Sequence, residues 1–292
     1  GDFSGRAAIE EYKRLGYVPA SSDESVSRTL EYAWSDWAVG NLAEALGRTQ
    51  LAERMHERGD SWKNLFDEES DFLRPRKASG DFTDGFDPEQ HGGRSGPYTE
   101  GNAWHWRFYA PQSPEKLADA FGGPTAFGEK LSAFFEGSGI ADSAPLRTLL
   151  PDGRYWHGNE HDLHSAYLFH FTDEPGRVAH WVRRIQKKAY AMEPDGIPGN
   201  DDGGTLTAWY VFSAIGLYPV AGGDRYLLGS PLFEGVRIVR PEAEDVRIRA
   251  PGASMERSEV AGVSVDGGQV DGAYVEHGEL VGGRLSFEMA PK

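Results

Sequence analysis

The sequence predicts a mainly α-helical protein, built from stacked antiparallel helix pairs and followed by a short C-terminal β-strand region. Two observations predict it. Up to about residue 220 apolar residues recur at helical spacing, and one helical segment follows another with no strand run between them. After Pro219 the pattern changes to short runs, several alternating, separated by Gly, Pro or Asp.

The helices follow in order. Residues 4–15 place Ala8, Ile9, Tyr12 and Leu15 on one face and end at Gly16. Residues 24–46 carry Val26, Leu30, Ala33, Trp37, Leu42 and Leu46 and stop at Gly47. Thr49 can cap the next helix, which runs to Arg58 before Gly59. Ser113-Pro114-Glu115 is a start signal, an N-cap followed by proline at the first helical position. Thr125 opens a helix through Phe134 and Phe135, and residues 174–190 and 205–215 form the last two. The strand runs are Tyr226-Leu227-Leu228 and residues 236–239, 246–248 and 285–289. This divides the chain into a helical part, 1–222, and a strand part, 223–292. A strand region over 227–292 is small for an independent sandwich and calls for a partner layer.

Composition narrows the function. The chain has 292 residues, 39% hydrophobic and 12% aromatic, enough for a sizeable core. Its 46 acidic residues against 30 basic ones leave a formal charge of −16, which repels phosphate backbones and argues against nucleic acid as a partner. The lack of cysteine excludes disulfides, zinc–thiolate sites and thiol nucleophiles. No apolar run approaches a membrane span. Residue 1 is Gly rather than Met, and no targeting segment is visible.

The connections 67–97, 152–160 and 194–204 are long and rich in Gly, Pro, Asp and Asn, as functional loops tend to be. Three segments carry chemistry. In Tyr98-Thr99-Glu100-Gly101-Asn102-Ala103-Trp104-His105-Trp106, Thr99 is a candidate N-cap and Glu100 falls in the first turn of a helix. That position favours an ionised carboxylate, whereas a general acid needs an apolar wall, for which Tyr98, Trp104 and Trp106 are candidates. A capping glutamate on a core helix explains the same residues. In the second segment, 155–164, Asn159, Glu160 and free carbonyls suit a hard cation such as calcium. His157, His161 and His164 raise zinc as a rival, but the order Glu160-His161-Asp162-Leu163-His164 is not His-Glu-x-x-His, and packed histidines account for the spacing too. The third, Pro194-Asp195-Gly196-Ile197-Pro198-Gly199-Asn200-Asp201-Asp202-Gly203-Gly204, presents acids before an apolar helix; it lacks the EF-hand spacing, and an acidic capping turn is the plainer alternative. Together the three describe a cleft of carboxylates, a cation loop and aromatic platforms, the equipment of sugar hydrolysis.

At these strings the sequence resembles glycoside hydrolase family 92, the exo-acting, calcium-dependent α-mannosidases. The matching residues are 98–104 (YTEGNAW), 157–160 (HGNE), 194–202 (PDGIPGNDD), 207–214, 216–220 (GLYPV), Tyr226 and 229–233 (GSPLF), with Phe72-Leu73-Arg74 and Phe86-Asp87-Pro88 upstream. The resemblance implies the second half of an (α/α)6 barrel, with an N-terminal β-sandwich and the first barrel helices outside this chain. It implies inverting removal of terminal α-linked mannose from oligosaccharides or glycoprotein glycans, by a secreted or periplasmic protein. Glu100 would be the general acid and Asp202 the general base, supported by Asp201 or Asn200. Asn159, Glu160 and a backbone carbonyl such as that of Gly158 would hold Ca2+, and His157, Trp104 and Trp156 would contact sugar. Three departures stand out: Asn200 where some relatives carry a third acid, His161 where proline is common, and 203–207 (GGTLT) in place of a Gly-Gln-Met-Ser stretch. A fragment that binds calcium and sugar without turnover is the alternative. A lyase would want a basic groove, and a phosphorylase would need phosphate.

Overall fold

The computed structural model describes residues 5–93, 95–141 and 153–291. Ser4, Asp152 and Lys292, at the limits of the first predicted helix, one predicted loop and the strand region, lie outside the described residues. The chain divides into two compact units, Gly1–Phe121 and Gly122–Lys292.

The first unit begins with α1 (Ile9–Leu15), α2 (Ser25–Ala45) and α3 (Thr49–Gly59). α2 buries Val26, Leu30, Ala33, Gly40 and Ala43 at helical spacing. Gly40 lets α3 approach closely: a Cβ there would stand 2.4 Å from the His56 ring. One expected cap is corrected: Thr49 is the first helical residue of α3, not its cap. Ser113 does stand at the N-cap position before Pro114, as predicted, but its side chain makes no capping bond, its hydroxyl lying 3.5 Å from Asp60. A 3-10 turn (Ser61–Leu65) leads into β1 (Phe66–Asp67), paired antiparallel with β2 (Phe72–Leu73). This ladder was invisible to periodicity because each strand is two residues long. After a long irregular stretch, α4 (Pro114–Ala120) starts with proline in its first turn, as predicted. The unit's core is aromatic: Trp62, Tyr98, Phe108 and Phe121 are almost fully buried, each worth about 1.5–3 kcal/mol or more.

The second unit begins with α5 (Pro124–Glu136), followed later by a 3-10 segment (Ser165–Phe171), α6 (Arg177–Ala189) and α7 (Thr205–Ala214). Phe135 of α5 stacks on Trp181 of α6 at 4.6 Å. Strands β3 (Leu217–Pro219) to β10 (Arg284–Met289) then form two sheets. β3, β4 (Arg225–Leu228) and β9 (Tyr274–Glu276) form an antiparallel sheet in the order β3-β4-β9. β5 (Gly235–Ile238), β6 (Val246–Arg249), β7 (Val260–Val265), β8 (Gly268–Gln269) and β10 form the other, in the order β5-β6-β10-β7-β8, with β6 and β10 parallel. One apolar cluster joins the sheets: Leu217, Leu228 and Val275 from the first, Ile248, Val263, Leu285 and Phe287 from the second. A short helix, α8 (His277–Leu280), closes with a capping box between Glu276 and Glu279.

Helix and strand parts of this unit are tied by one buried cation. The Arg183 guanidinium, on α6, donates to the Ser230 hydroxyl (3.0 Å) and carbonyl (3.3 Å), the Pro231 carbonyl (2.9 Å) and Gln186 (3.3 Å). Among the described residues no carboxylate accepts a hydrogen bond from it, and burial pulls its pKa down to about 10.

Candidate active site

In the first unit the Glu100 segment is not the helix the sequence predicts. Residues 98–107 run as successive turns, because local side chains capture the amides a helix would use. The Asn102 amide oxygen accepts from the N–H groups of Trp104 (3.0 Å) and His105 (3.2 Å), while His105 Nδ1 accepts from Asn102 N–H (3.1 Å). Glu100 is exposed and carries φ 50°, a left-handed conformation that costs a non-glycine residue about 1–2 kcal/mol. Its neighbours hold it there. Thr99 N–H donates to Ser27 Oγ (2.8 Å), Trp106 Nε1–H to the Thr99 carbonyl (3.0 Å), and Gly92 N–H to the Gly101 carbonyl (2.8 Å). Tyr98 is buried and donates to the Leu73 carbonyl (2.7 Å). Trp104 is half-buried, edge-on to Phe72 at 4.8 Å, with the Arg107 guanidinium over both rings.

In the second unit the 157–160 and 199–202 segments come together. Gly199 (φ 68°) lies so close to Gly158 that a Cβ would stand 2.4 Å from the Gly158 carbonyl oxygen, which is thus turned toward Gly199. A Cβ on Gly158 would in turn meet the buried Trp156 indole at 2.6 Å. Two glycines therefore place Asn159 and Glu160 next to the loop bearing Asn200, Asp201 and Asp202.

The two adjacent aspartates differ. Asp201 Oδ1 accepts from Thr207 N–H (2.9 Å) and Thr207 Oγ1–H (2.8 Å), capping the first turn of α7 from the loop before it. Asp202 is exposed, has φ 49°, and precedes two left-handed glycines, Gly203 (φ 70°) and Gly204 (φ 100°). Among the described residues no hydrogen bond or ion pair engages the Asp202 carboxylate. Asn200 beside it is also exposed.

The histidines are packed. His157 is fully buried, and both ring nitrogens are engaged, Nδ1 with Tyr155 Oη (2.5 Å) and Nε2 with Tyr190 Oη (2.8 Å). Burial pushes its pKa down to about 3. It therefore offers no nitrogen to a sugar or a metal in this arrangement. His161 and His164 are buried as well. Asn159 is buried and its side-chain oxygen accepts from Glu160 N–H (3.0 Å), while Glu160 is exposed. Among the described residues no three His, Asp or Glu side chains converge as a metal cluster. The donors here are an amide oxygen, one carboxylate and backbone carbonyls, a set that fits a hard cation such as calcium.

Sequence reading missed Asn102, His105, Tyr155, Tyr190 and Asp162. Asp162 is buried, its pKa pushed well up by burial, and its carboxyl accepts from Trp156 N–H (3.0 Å). An Asn two residues before a Trp was the one readable signal, for an Asx turn; Tyr155 opens the second segment with nothing to mark it as a partner of His157, and Tyr190 lies outside all three segments.

The chain matches the glycosyl hydrolase family 92 catalytic domain over residues 2–291. Its fold is similar to that of a family GH92 α-mannosidase from Bacteroides thetaiotaomicron in complex with mannoimidazole, with TM-score 0.88 and 31% identity over 99% of this chain and 39% of that one. A family GH92 inverting mannosidase from the same organism gives TM-score 0.84 and 31% identity over 98% of this chain and 40% of that one. A curated relative, an "uncharacterized secreted glycosidase" of Arthroderma benhamiae, is 27% identical over 267 residues, 81% of this chain and 32% of that protein. The chain thus spans about a third to two-fifths of the length of these relatives. No described helix is long and apolar enough to cross a membrane. Sequence along nearly its whole length and fold agree: the chain belongs to glycosyl hydrolase family 92.

Proposed function

We propose that the chain carries the catalytic carboxylates of a secreted or periplasmic exo-α-mannosidase that removes terminal α-linked mannose with inversion. The observation that supports this most is the pair of exposed carboxylates on left-handed backbone, Glu100 and Asp202, the second unengaged and beside the oxygen donors of residues 159–160. Glu100 gives its proton to the glycosidic oxygen as the bond to C1 breaks. Water attacks C1 from the opposite face, and Asp202 takes its proton. Asp202 ends protonated and Glu100 ionised, and solvent resets both. Such a reaction needs the two carboxyls about 6.5–9.5 Å apart, to leave room for the water. Asp201 fixes the base loop through its cap, and Asn200 and the half-buried Trp104 are candidate sugar contacts.

Asn159 and Glu160 would hold calcium. Bound there, the ion supplies orientation of vicinal sugar hydroxyls and favours a distorted ring. On this reading the helices would be the second half of an (α/α)6 barrel, and an N-terminal β-sandwich portion would complete the sugar pocket.

The test is hydrolysis of aryl α-mannosides and mannobiose, with and without chelator, by the unsubstituted protein and by Glu100→Gln. Activity is expected to fall in both cases. Activity indifferent to chelator and to the substitution overturns the reading. Calorimetric mannose binding with no turnover in the presence of the N-terminal portion assigns a binding module instead.

A further inference from the structure

We propose that Tyr190 and His157 are positioning residues for Asp202, acting through a directed chain of hydrogen bonds, Tyr155–His157–Tyr190–Leu206, that clamps the base loop to the 157–160 segment. The proposal rests on Asp202 being the general base. Its warrant is the direction of the protons. Tyr190 Oη–H donates to the Leu206 carbonyl (2.9 Å), which can only accept. The Tyr190 hydroxyl has one proton, so in its 2.8 Å contact with His157 Nε2 the imidazole donates. The ring is fully buried between two tyrosine hydroxyls, with no carboxylate on either nitrogen to hold a second proton, and Nδ1 therefore accepts from Tyr155 Oη–H. Every proton in the chain points the same way, from Tyr155 to α7.

The ends of this chain bracket the base. Gly158, next to His157, packs on Gly199 at the start of the loop. Leu206, where the chain ends, lies in the first turn of α7, next to Thr207, which holds Asp201. Asp202 sits between these two attachments in a conformation that its own residue type disfavours. The rings reinforce the clamp. Tyr190 stacks parallel on Trp209 (5.9 Å, 1°), Trp209 meets His157 edge-on at 4.3 Å, and the Trp209 indole N–H donates to the Leu163 carbonyl (2.9 Å). The loop is thereby fixed to one buried imidazole whose two nitrogens are both engaged by tyrosines.

The decisive variant is Tyr190→Phe, which deletes one hydroxyl and keeps the stack. In the full-length protein kcat on an aryl α-mannoside is expected to fall on the order of 10-fold, with KM within about twofold, since small misplacement of a reacting group lowers rate rather than affinity. Hydrogen exchange at residues 199–207, the Thr207 amide above all, is expected to quicken while the strand region stays unchanged. His157→Gln, whose amide can donate from the Nε2 position, should retain more kcat than His157→Asn, whose amide reaches only the Nδ1 position. Wild-type kcat together with wild-type exchange in Tyr190→Phe overturns the proposal. So does a raised KM at unchanged kcat, which would make His157 a sugar ligand, and so does His157→Asn matching or exceeding His157→Gln. If Tyr190→Phe fails to fold, the Gln–Asn comparison decides alone. If the unsubstituted protein hydrolyses no α-mannoside, the mannosidase reading fails, and the exchange comparison still decides whether the clamp exists.

Discussion

The segments bearing Glu100 and Asp202 share a backbone conformation and reach it by different means. Both residues are non-glycine with φ near +50°, and both are exposed. Glu100 is flanked by side chains rooted in an aromatic core: Trp106 holds the carbonyl before it, Tyr98 is anchored to β2, and Asn102 gathers the amides after it. Asp202 stands on a loop with little core of its own, held by the Asp201 cap, the Gly158–Gly199 contact and two left-handed glycines. Strain of about 1–3 kcal/mol persists only where the surroundings over-determine it. A core does so on one side, and a few polar bonds do so on the other.

The sharpest test of that contrast is chemical. Asp202→Asn and Glu100→Gln are each expected to lower kcat by about 10²–10⁴-fold, the range of general acid–base catalysis, with the far-ultraviolet spectrum unchanged. A loss confined to one of them would break the symmetry of roles that the shared conformation suggests.

Acid comes next, because each side contains a buried neutral histidine. Burial, with a smaller push from His91, lowers His105 to about 4, and burial lowers His157 to about 3. In the unfolded chain both protonate near 6.5, so below that pH the unfolded state binds more protons. Their stabilising contribution is present in full above about pH 6.5 and is lost as pH falls toward the folded values, each group contributing about 1.4 kcal/mol per pH unit inside its window. Urea unfolding between pH 4 and 7 should show the slope. His105→Gln is expected to flatten it to the extent of one proton.

Smaller effects separate the two anchoring styles. Trp106→Phe, which leaves the Thr99 carbonyl without its indole donor, is expected to cost about 1–2 kcal/mol of stability by chemical denaturation. Asp201→Ala removes a cap worth about 1 kcal/mol, yet is expected to reduce kcat more than Trp106→Phe does, since the base loop has less else to hold it. Asp201→Asn keeps the accepting oxygen and should fold as the parent does. Smallest of all, Asp202→Gly relieves the left-handed strain and is expected to stabilise by about 1 kcal/mol while abolishing turnover. A Gly variant less stable than its parent would show that Asp202 is not strained.

Much of the helical scaffold was legible because continuous apolar periodicity leaves little choice: α2 was placed within a residue at each end, and α4 began at its proline. Strands β4, β5, β6 and β10 were readable from their runs. β7 was missed because Gly262 and Ser264 dilute its pattern, and β9 because it is three residues long. The Glu100 segment was misread as a helix because Asn102 and His105 act through side-chain bonds that periodicity does not register. Within the second unit, the motif strings foretold that residues 157–160 and 194–202 matter, but not that two glycines bring them together. The tyrosines around His157 were unreadable for the same reason: Tyr155 and Tyr190 meet one ring across 35 positions of sequence, and nothing local marks them.

The buried Arg183 sets a limit on dissection. Its acceptors on the far side, Ser230 and Pro231, belong to the turn between β4 and β5, whereas the cation itself rides on α6. Cutting the polypeptide between α7 and β4 would leave a guanidinium stripped of three of its four bonds inside an apolar interior, a penalty of several kcal/mol. Lysine could not inherit the post, because one ammonium lacks the planar fork that reaches a hydroxyl and two carbonyls at once. Any shortened version of this protein must therefore keep that turn, or give up the arginine together with it.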